Sequence, residues 1–168
     1  MKVDAMLTEV AGTFVKIAYA ADVDIILARG MASRPPARFN RPGEDALYLS
    51  REEAGARVAL RRYVKPGDPP RVILDFDIAP CALFDLRLPE NAGIYEHARQ
   101  PWQEALDVGQ TPETWRAADH AKALGHAGLI DPSRGQPGLW HITLFRWNAP
   151  NAPTVRQIGP PRPIAFDI

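Results

Sequence analysis

Residues 71–78 read RVILDFDI, and this stretch is the clearest indication of the fold class. Its apolar side chains occupy alternate positions, as in a β-strand with one buried face. They are Val72, Leu74, Phe76 and Ile78. The same criteria predict further strands at residues 13–20, 46–49, 82–86, 127–130 and 139–147, and an edge strand at 155–158. Two helices are predicted, at residues 50–63 and 111–124. Strands outnumber helices and do not alternate regularly with them, which argues against a doubly wound parallel sheet and predicts an α+β fold.

Both predicted helices carry sequence signals for their first turn. Ser50 is followed three residues later by Glu53, which is the spacing of a capping box, so we expect Ser50 to cap the first helix. Thr111 precedes Pro112, and proline is favoured at the first position of a helix. The second helix is therefore predicted to begin at Thr111 and to end before Gly125.

Length and composition restrict the class of protein. The 168 residues fit one domain, predicted to span 1–168, and the 46% hydrophobic and 24% charged residues are typical of a folded chain. Twenty basic residues balance twenty acidic ones, which argues against nucleic-acid binding by bulk charge. The sole cysteine, Cys81, excludes an internal disulfide and a multi-cysteine zinc site. No apolar stretch is long enough to span a membrane and residues 1–10 lack a secretory leader, so we expect a cytoplasmic location.

Two segments could carry chemistry, although each has a simpler interpretation. The loop at 29–43 contains four arginines among glycines and prolines, and guanidinium groups suit phosphate. The stretch at 128–135, GLIDPSRG, places a serine hydroxyl in a turn after a strand. Taken alone, a solvated basic loop and an ordinary serine turn are the favoured interpretations. The four histidines are scattered, and no metal-ligand cluster, phosphate-binding glycine loop or serine-nucleophile motif is present, so no metal is expected.

Taken in order, these segments resemble the RES domain family, which is named for an Arg, a Glu and a Ser. The matching segments are 38–43 (RFNRPG), 46–50 (ALYLS), 128–134 (GLIDPSR) and 144–145 (LF). The resemblance covers about residues 13–150 and leaves a proline-rich tail at 150–168. RES domains look like ADP-ribosyltransferases, which implies split β-sheets with flanking helices that clasp NAD+.

The resemblance also implies a function. RES proteins are toxins of bacterial type II toxin–antitoxin pairs, and their partners are antitoxins of the Xre/MbcA/ParS type. Family members cleave the nicotinamide–ribose bond of NAD+ and pass ADP-ribose to water, to phosphate or to a protein, which is phosphoribosyl pyrophosphate synthetase in one branch. NAD+ is thus the expected substrate, and no nucleic acid or membrane partner is expected. Two alternatives stay open: a non-enzymatic module that binds NAD+ or another nucleotide, and a module that only binds other proteins.

The family's site residues can be carried over by their motifs. Its arginine falls on Arg38, its tyrosine on Tyr48 and its serine on Ser133. The resemblance implies that Arg38 clamps phosphate, that Tyr48 stacks or bonds near the nicotinamide ribose, and that Ser133 orients a ribose or phosphate oxygen. Arg29 is a second candidate for a phosphate ligand.

The expected glutamate is the point of departure from the family pattern. It should lie eleven residues after Tyr48, where this chain has Ala59. Glu52 is a tentative substitute, but it lies seven residues earlier, about 10 Å along a helix. Three explanations are open: this branch uses Glu52 or Glu53 after a shift of the helix, the chain is naturally impaired, or Ala59 is an introduced replacement of Glu. Loss of such a charge costs on the order of a hundredfold in rate.

Overall fold

The structure, a computed structural model, describes residues 5–167. Residues 1–4, part of the segment in which no secretory leader is predicted, and residue 168 of the proline-rich tail lie outside this range. The strands within it are β1 (Leu7–Tyr19), β2 (Leu47–Ser50), β3 (Arg71–Asp85), β4 (Gly128–Pro132), β5 (Trp140–Leu144), β6 (Val155–Gln157) and β7 (Arg162–Pro163). The α-helices are α1 (Glu53–Leu60), α2 (Ala92–Ala98), α3 (Gln103–Asp107) and α4 (Thr114–Ala123), with 3-10 helices at Ala20–Ile25 and Pro89–Asn91.

The strands form two groups that are joined at their sides. In the first group, β1 and β3 are antiparallel along most of their length, and β6 and β7 pair with the other edge of β3. The second group is β2–β5–β4, which is antiparallel throughout. The groups meet where Val15 pairs with Ser50 and where the end of β3 runs parallel to β4. This mixed sheet with flanking helices confirms the predicted α+β fold.

The strand β3 is continuous, whereas the sequence predicted two strands with a break near Pro80. The register between β1 and β3 shifts between Val10 and Gly12, and β3 has one more residue than β1 at this point. Gly12 has a φ of +96°, which favours glycine. A bulge accommodates proline because a residue there need not donate an N–H to the ladder. The prediction of two separate strands is therefore wrong.

The predicted capping box of the first helix is also wrong. The helix α1 begins at Glu53, its N-cap residue is Glu52, and no side chain caps it. Ser50 is the last residue of β2, and its Oγ is hydrogen-bonded across the sheet to Nδ1 of His141, at 2.8 Å. The carboxylate of Glu53 instead accepts a hydrogen bond from Nε of Arg57, at 2.9 Å. The helix ends three residues before the predicted boundary at 63.

The second predicted helix begins later than expected. The helix α4 starts at Thr114, and its N-cap residue, Glu113, makes no side-chain cap bond. The hydroxyl of Thr114 donates to the backbone oxygen of Arg38, which fixes the start of α4 against the arginine-rich loop. The short helices α2 and α3 were not predicted, because their seven and five residues give too little apolar periodicity.

The largest apolar cluster lies mainly between the two strand groups. Its buried members include Phe14, Leu74, Phe76, Ile142 and Trp147. The alternate face predicted for β3 is confirmed, because Leu74, Phe76 and Ile78 are buried in this cluster and Val72 packs against it. A second cluster packs α4 and Ala98 of α2 on Phe84 and Leu129.

A buried carboxylate lies at the end of β3. Asp85 is 1% exposed and accepts hydrogen bonds from Arg87, at 2.9 Å, and from Thr8, at 2.6 Å. Burial raises the pKa of Asp85, but these hydrogen bonds outweigh it and hold that pKa below its usual range. The carboxylate therefore stays ionised, and its hydrogen bonds stabilise the end of β3 that pairs with β4.

The predicted edge strand in the proline-rich tail is confirmed as β6, and β7 follows it. Both pair with β3. Within residues 5–167, no helix is long and apolar enough to cross a membrane, and the longest, α4, has ten residues.

Candidate functional site

Two adjoining clefts open beside β1. The first cleft has a volume of about 480 Å³ and lies between β1, β2, α1 and the turn at residues 131–135. The second cleft has a volume of about 500 Å³ and lies between β1, the loop at residues 31–37 and the end of α1. Lys16, Tyr48 and Tyr63 are among the residues that line both clefts, so the two clefts are direct neighbours.

Arg38 lines the first cleft and is held in place by neutral groups. Its Nη1 donates to the backbone oxygens of Ala98, at 3.2 Å, and Gln100, at 3.1 Å, at the end of α2. Burial lowers the pKa of Arg38, and the positive charge of Arg134 adds to this effect. Within residues 5–167 no carboxylate lies within ion-pair distance of Arg38, so its charge is available to an anionic ligand.

Tyr48 lies on β2 and contributes to both clefts. Its hydroxyl accepts a hydrogen bond from the backbone N–H of Phe39, at 2.9 Å, and donates one to Oδ1 of Asn40, at 2.7 Å. Burial raises the pKa of Tyr48, so the hydroxyl stays protonated. The hydroxyl thus fixes the loop that carries Arg38.

Ser133 lies in the turn after β4 and lines the first cleft. Its Oγ accepts a hydrogen bond from the backbone N–H of Gln136, at 3.2 Å. Two residues earlier, Asp131 is 4% exposed and accepts two hydrogen bonds from Arg134, at 2.9 and 2.8 Å. Asp131 is the one carboxylate among the described residues that line this cleft.

His141 lies on β5 and faces the same turn. Burial lowers the pKa of His141, the charges of Arg134 and Arg38 lower it further, and Asp131 opposes them. The ring is therefore neutral near pH 7, with Nδ1 hydrogen-bonded to Ser50. The first cleft thus combines a guanidinium that has no carboxylate partner, a hydroxyl, a paired carboxylate and a neutral imidazole. Within residues 5–167, no three histidine, cysteine, aspartate or glutamate side chains are grouped so that they could hold a metal ion.

The model of the RES domain family matches residues 21–167. The chain belongs to the RES domain family. No curated protein matches it. Among solved structures, the RES chain is similar to a chain in the crystal structure of the M. tuberculosis MbcT–MbcA toxin–antitoxin complex, with a TM-score of 0.60. The two are 18% identical, and the match covers 92% of this chain and 86% of that one. At this identity, the likeness shows a shared fold.

The structure places four of the six RES site candidates in the first cleft. Arg38, Tyr48, Ala59 and Ser133 line it. Ala59 is on the cleft side of α1, one residue after Val58, at the position expected for the family glutamate. Position 59 therefore faces the cleft without a carboxylate.

The other two candidates lie elsewhere. Glu52 is exposed at the N-cap position of α1 and lines neither cleft. Arg29 is also exposed and lines neither cleft. The arginine of this loop that lines the second cleft is Arg34.

Several polar side chains of the clefts were not predicted from the sequence. Asp131 and Arg134 lie inside the quoted GLIDPSRG segment, but their spacing gave no sign that they form an ion pair. His141 was one of four scattered histidines. Lys16 could have been identified from the sequence, because it is a charged residue in the middle of an apolar predicted strand.

Proposed function

We propose that this RES protein is the toxin of a toxin–antitoxin pair, and that it binds NAD+ and cleaves the bond between nicotinamide and ribose. The observation that supports this proposal is the first cleft, which gathers Arg38, Tyr48 and Ser133 from three separate parts of the chain. Its volume of about 480 Å³ is that of a small-molecule site.

Each of these side chains has a role in the proposal. Arg38 binds a phosphate of NAD+, because its guanidinium has carbonyl partners and no carboxylate. The ring of Tyr48 packs against the nicotinamide ribose, while its hydroxyl stays hydrogen-bonded to the loop that carries Arg38. The hydroxyl of Ser133 bonds to a ribose or phosphate oxygen.

Cleavage needs a negative charge close to the ribose. The electron pair of the broken bond goes to the nicotinamide nitrogen, and positive charge develops on the ribose ring. An acceptor oxygen then bonds to the ribose carbon and loses its proton to the surrounding water. The carboxylate of this cleft, Asp131, is already paired with Arg134, which weakens its field at the ribose. We therefore expect a low rate for the chain with Ala59.

Nicotinamide release from NAD+ tests this proposal. The chain as given is compared with Ala59→Glu, and Ala59→Gln is the control of similar size without a charge. Water, added phosphate and a cell extract serve as alternative acceptors of ADP-ribose. We expect Ala59→Glu to release nicotinamide about a hundredfold faster than the chain as given and than Ala59→Gln. The acceptor that accelerates release then identifies the reaction as hydrolysis, phosphorolysis or protein ADP-ribosylation.

Two other outcomes would change the proposal. If the chain as given is as fast as Ala59→Glu, a different acid serves the reaction, and Asp131, Glu52 and Glu53 are the positions to replace. If no variant releases nicotinamide, the enzymatic proposal is rejected.

A second candidate function is NAD+ binding without cleavage. The observation that favours it is the combination of Ala59 with an Asp131 that is already neutralised by Arg134. NAD+ would then raise the melting temperature of the chain, because a ligand of the native state stabilises it, while no nicotinamide appears. A module that only binds other proteins would show neither effect.

We also propose that the partner is an antitoxin of the Xre/MbcA/ParS type, and that a short antitoxin segment covers the mouth of the clefts near residues 29–41. The exposure of Arg29 in this loop supports the proposal. NAD+ binding by the purified complex should be weaker than binding by the free chain. Equal binding by the two would contradict the proposed position of the antitoxin.

A further inference from the structure

The second cleft is rich in positive charge. Lys16, Arg34 and Arg71 line it, and Asp22 is the one carboxylate among its described lining residues. Arg71 is already paired, because its Nη1 donates to Asp68, at 2.9 Å. Lys16 and Arg34, in contrast, make no ion pair with any residue between 5 and 167.

Lys16 is a half-buried cation on β1 that lines both clefts. Its Nζ donates to the backbone oxygen of Tyr48, at 3.1 Å, and within residues 5–167 it makes no ion pair. Burial lowers the pKa of Lys16 to about 8, and the nearby charge of Arg34 contributes to this. An ammonium group in this position lacks a counter-charge.

Arg34 is the second cation, and one of its donors is unused. Its Nη1 donates to the backbone oxygen of Ala46, at 3.1 Å, and its Nη2 to that of Ala28, at 3.0 Å. Its Nε is buried and has no hydrogen-bond partner. Within residues 5–167 Arg34 makes no ion pair, so, like Lys16, it is a cation of the second cleft that is held by backbone carbonyls and not by a carboxylate.

These two side chains together match a phosphate group. We propose that Lys16 and Arg34 form a phosphate-binding subsite in the second cleft, beside the cleft that contains Arg38. The pyrophosphate of a dinucleotide and free inorganic phosphate both supply negative charge and several acceptor oxygens, which suit two cations that have no carboxylate partner. The phosphate belongs either to the pyrophosphate of NAD+, which rests on the proposed function, or to free inorganic phosphate.

The test uses two probes, ADP-ribose and inorganic phosphate, titrated calorimetrically into the chain and its variants. Lys16→Met removes the charge and keeps the length of the side chain, whereas Lys16→Arg keeps the charge. Arg29→Ala is the matched control, since Arg29 is exposed and lines neither cleft. Position 34 is left unchanged because Arg34 also holds its loop through two carbonyls.

We expect Lys16→Met to bind at least one probe about tenfold or more weakly than the unchanged chain. Lys16→Arg and Arg29→Ala should bind that probe as tightly as the unchanged chain. If Lys16→Met binds only ADP-ribose more weakly, the ligand is the pyrophosphate of the dinucleotide. If it binds inorganic phosphate more weakly, the ligand is a free phosphate. If neither probe binds, or if both bind Lys16→Met as tightly as the unchanged chain, the subsite is rejected.

A pH series gives a readout that a purely structural role of Lys16 would not change. The charge of ADP-ribose is constant between pH 7 and 9, whereas Lys16 loses its proton in this interval because its pKa is about 8. The charged groups that line the same cleft are Arg34, Arg71 and Asp22, and burial keeps the neighbouring Tyr48 hydroxyl protonated by raising its pKa. If ADP-ribose is the probe that responds, its affinity should fall several-fold from pH 7 to 9 in the chain and not in Lys16→Arg. The same fall in both would contradict the role of Lys16.

This test is separable from that of the proposed function. Loss of probe binding in Lys16→Met supports the subsite even where no nicotinamide is released. Nicotinamide release with unchanged probe binding in Lys16→Met rejects the subsite and leaves the proposed function in place.

Discussion

The hydroxyl of Tyr48 gives a prediction whose size can be worked out from the structure. It pairs with the backbone N–H of Phe39 and with Oδ1 of Asn40, and both partner residues are 1% exposed. Tyr48→Phe removes both hydrogen bonds and leaves two buried polar groups unpaired. Each such group costs about 1–3 kcal/mol, so we expect the free energy of unfolding to fall by about 3 kcal/mol. For a chain of this size, this corresponds to a decrease of about 6–12 °C in Tm.

Urea denaturation and thermal unfolding measure this change, and the chain offers a matched control. The hydroxyl of Tyr19 accepts a hydrogen bond from Arg71, at 3.0 Å, but Tyr19 is 38% exposed. Water can replace that hydrogen bond, so Tyr19→Phe should cost less than about 1 kcal/mol. Equal stability of Tyr48→Phe and Tyr19→Phe would refute the claim that the Tyr48 hydroxyl fixes the arginine loop.

Three further predictions concern other parts of the molecule. Arg38→Ala should abolish the rise in Tm that NAD+ produces, whereas Arg29→Ala should preserve it; loss in both variants would contradict the placement of the site. Because the pKa of Asp85 is lower in the folded chain, its contribution is present at neutral pH and is lost as the pH falls below about 4. Asp85→Asn should therefore reduce the unfolding free energy by about 3 kcal/mol at pH 7 and by much less at pH 2, and a loss independent of pH in urea titrations would contradict this. A Cβ on Gly135 would lie 2.6 Å from Cγ1 of Val58, so Gly135→Ala should cost about 1–3 kcal/mol. In a double-mutant cycle, Val58→Ala should recover part of that loss, and simple additivity of the two changes would count against a direct clash.

The fold class could be predicted from the sequence because the strands carry strong apolar alternation, as in β3. The continuity of β3 through Pro80 could not, since it depends on a bulge formed with β1, a strand sixty or more residues away. The capping box at Ser50 failed for a similar reason. Its local spacing was correct, but His141 on β5 is hydrogen-bonded to the same hydroxyl.

Part of the candidate site could be predicted from the sequence. Short motifs located Arg38, Tyr48 and Ser133, and the structure places all three in one cleft. The ion pair of Asp131 with Arg134 and the unpaired donor of Arg34 depend on side-chain geometry, which spacing along the chain does not determine.

We propose above that the first cleft binds NAD+. This proposal is tested most directly by titrating the chain calorimetrically with an NAD+ analogue whose carbocyclic nicotinamide ribose prevents cleavage. Ala59→Trp fills the cleft from an exposed helical position, so it should leave the fold intact. We expect one analogue to bind per chain and Ala59→Trp to lose that binding. No binding to the chain, or equal binding to both, would contradict it.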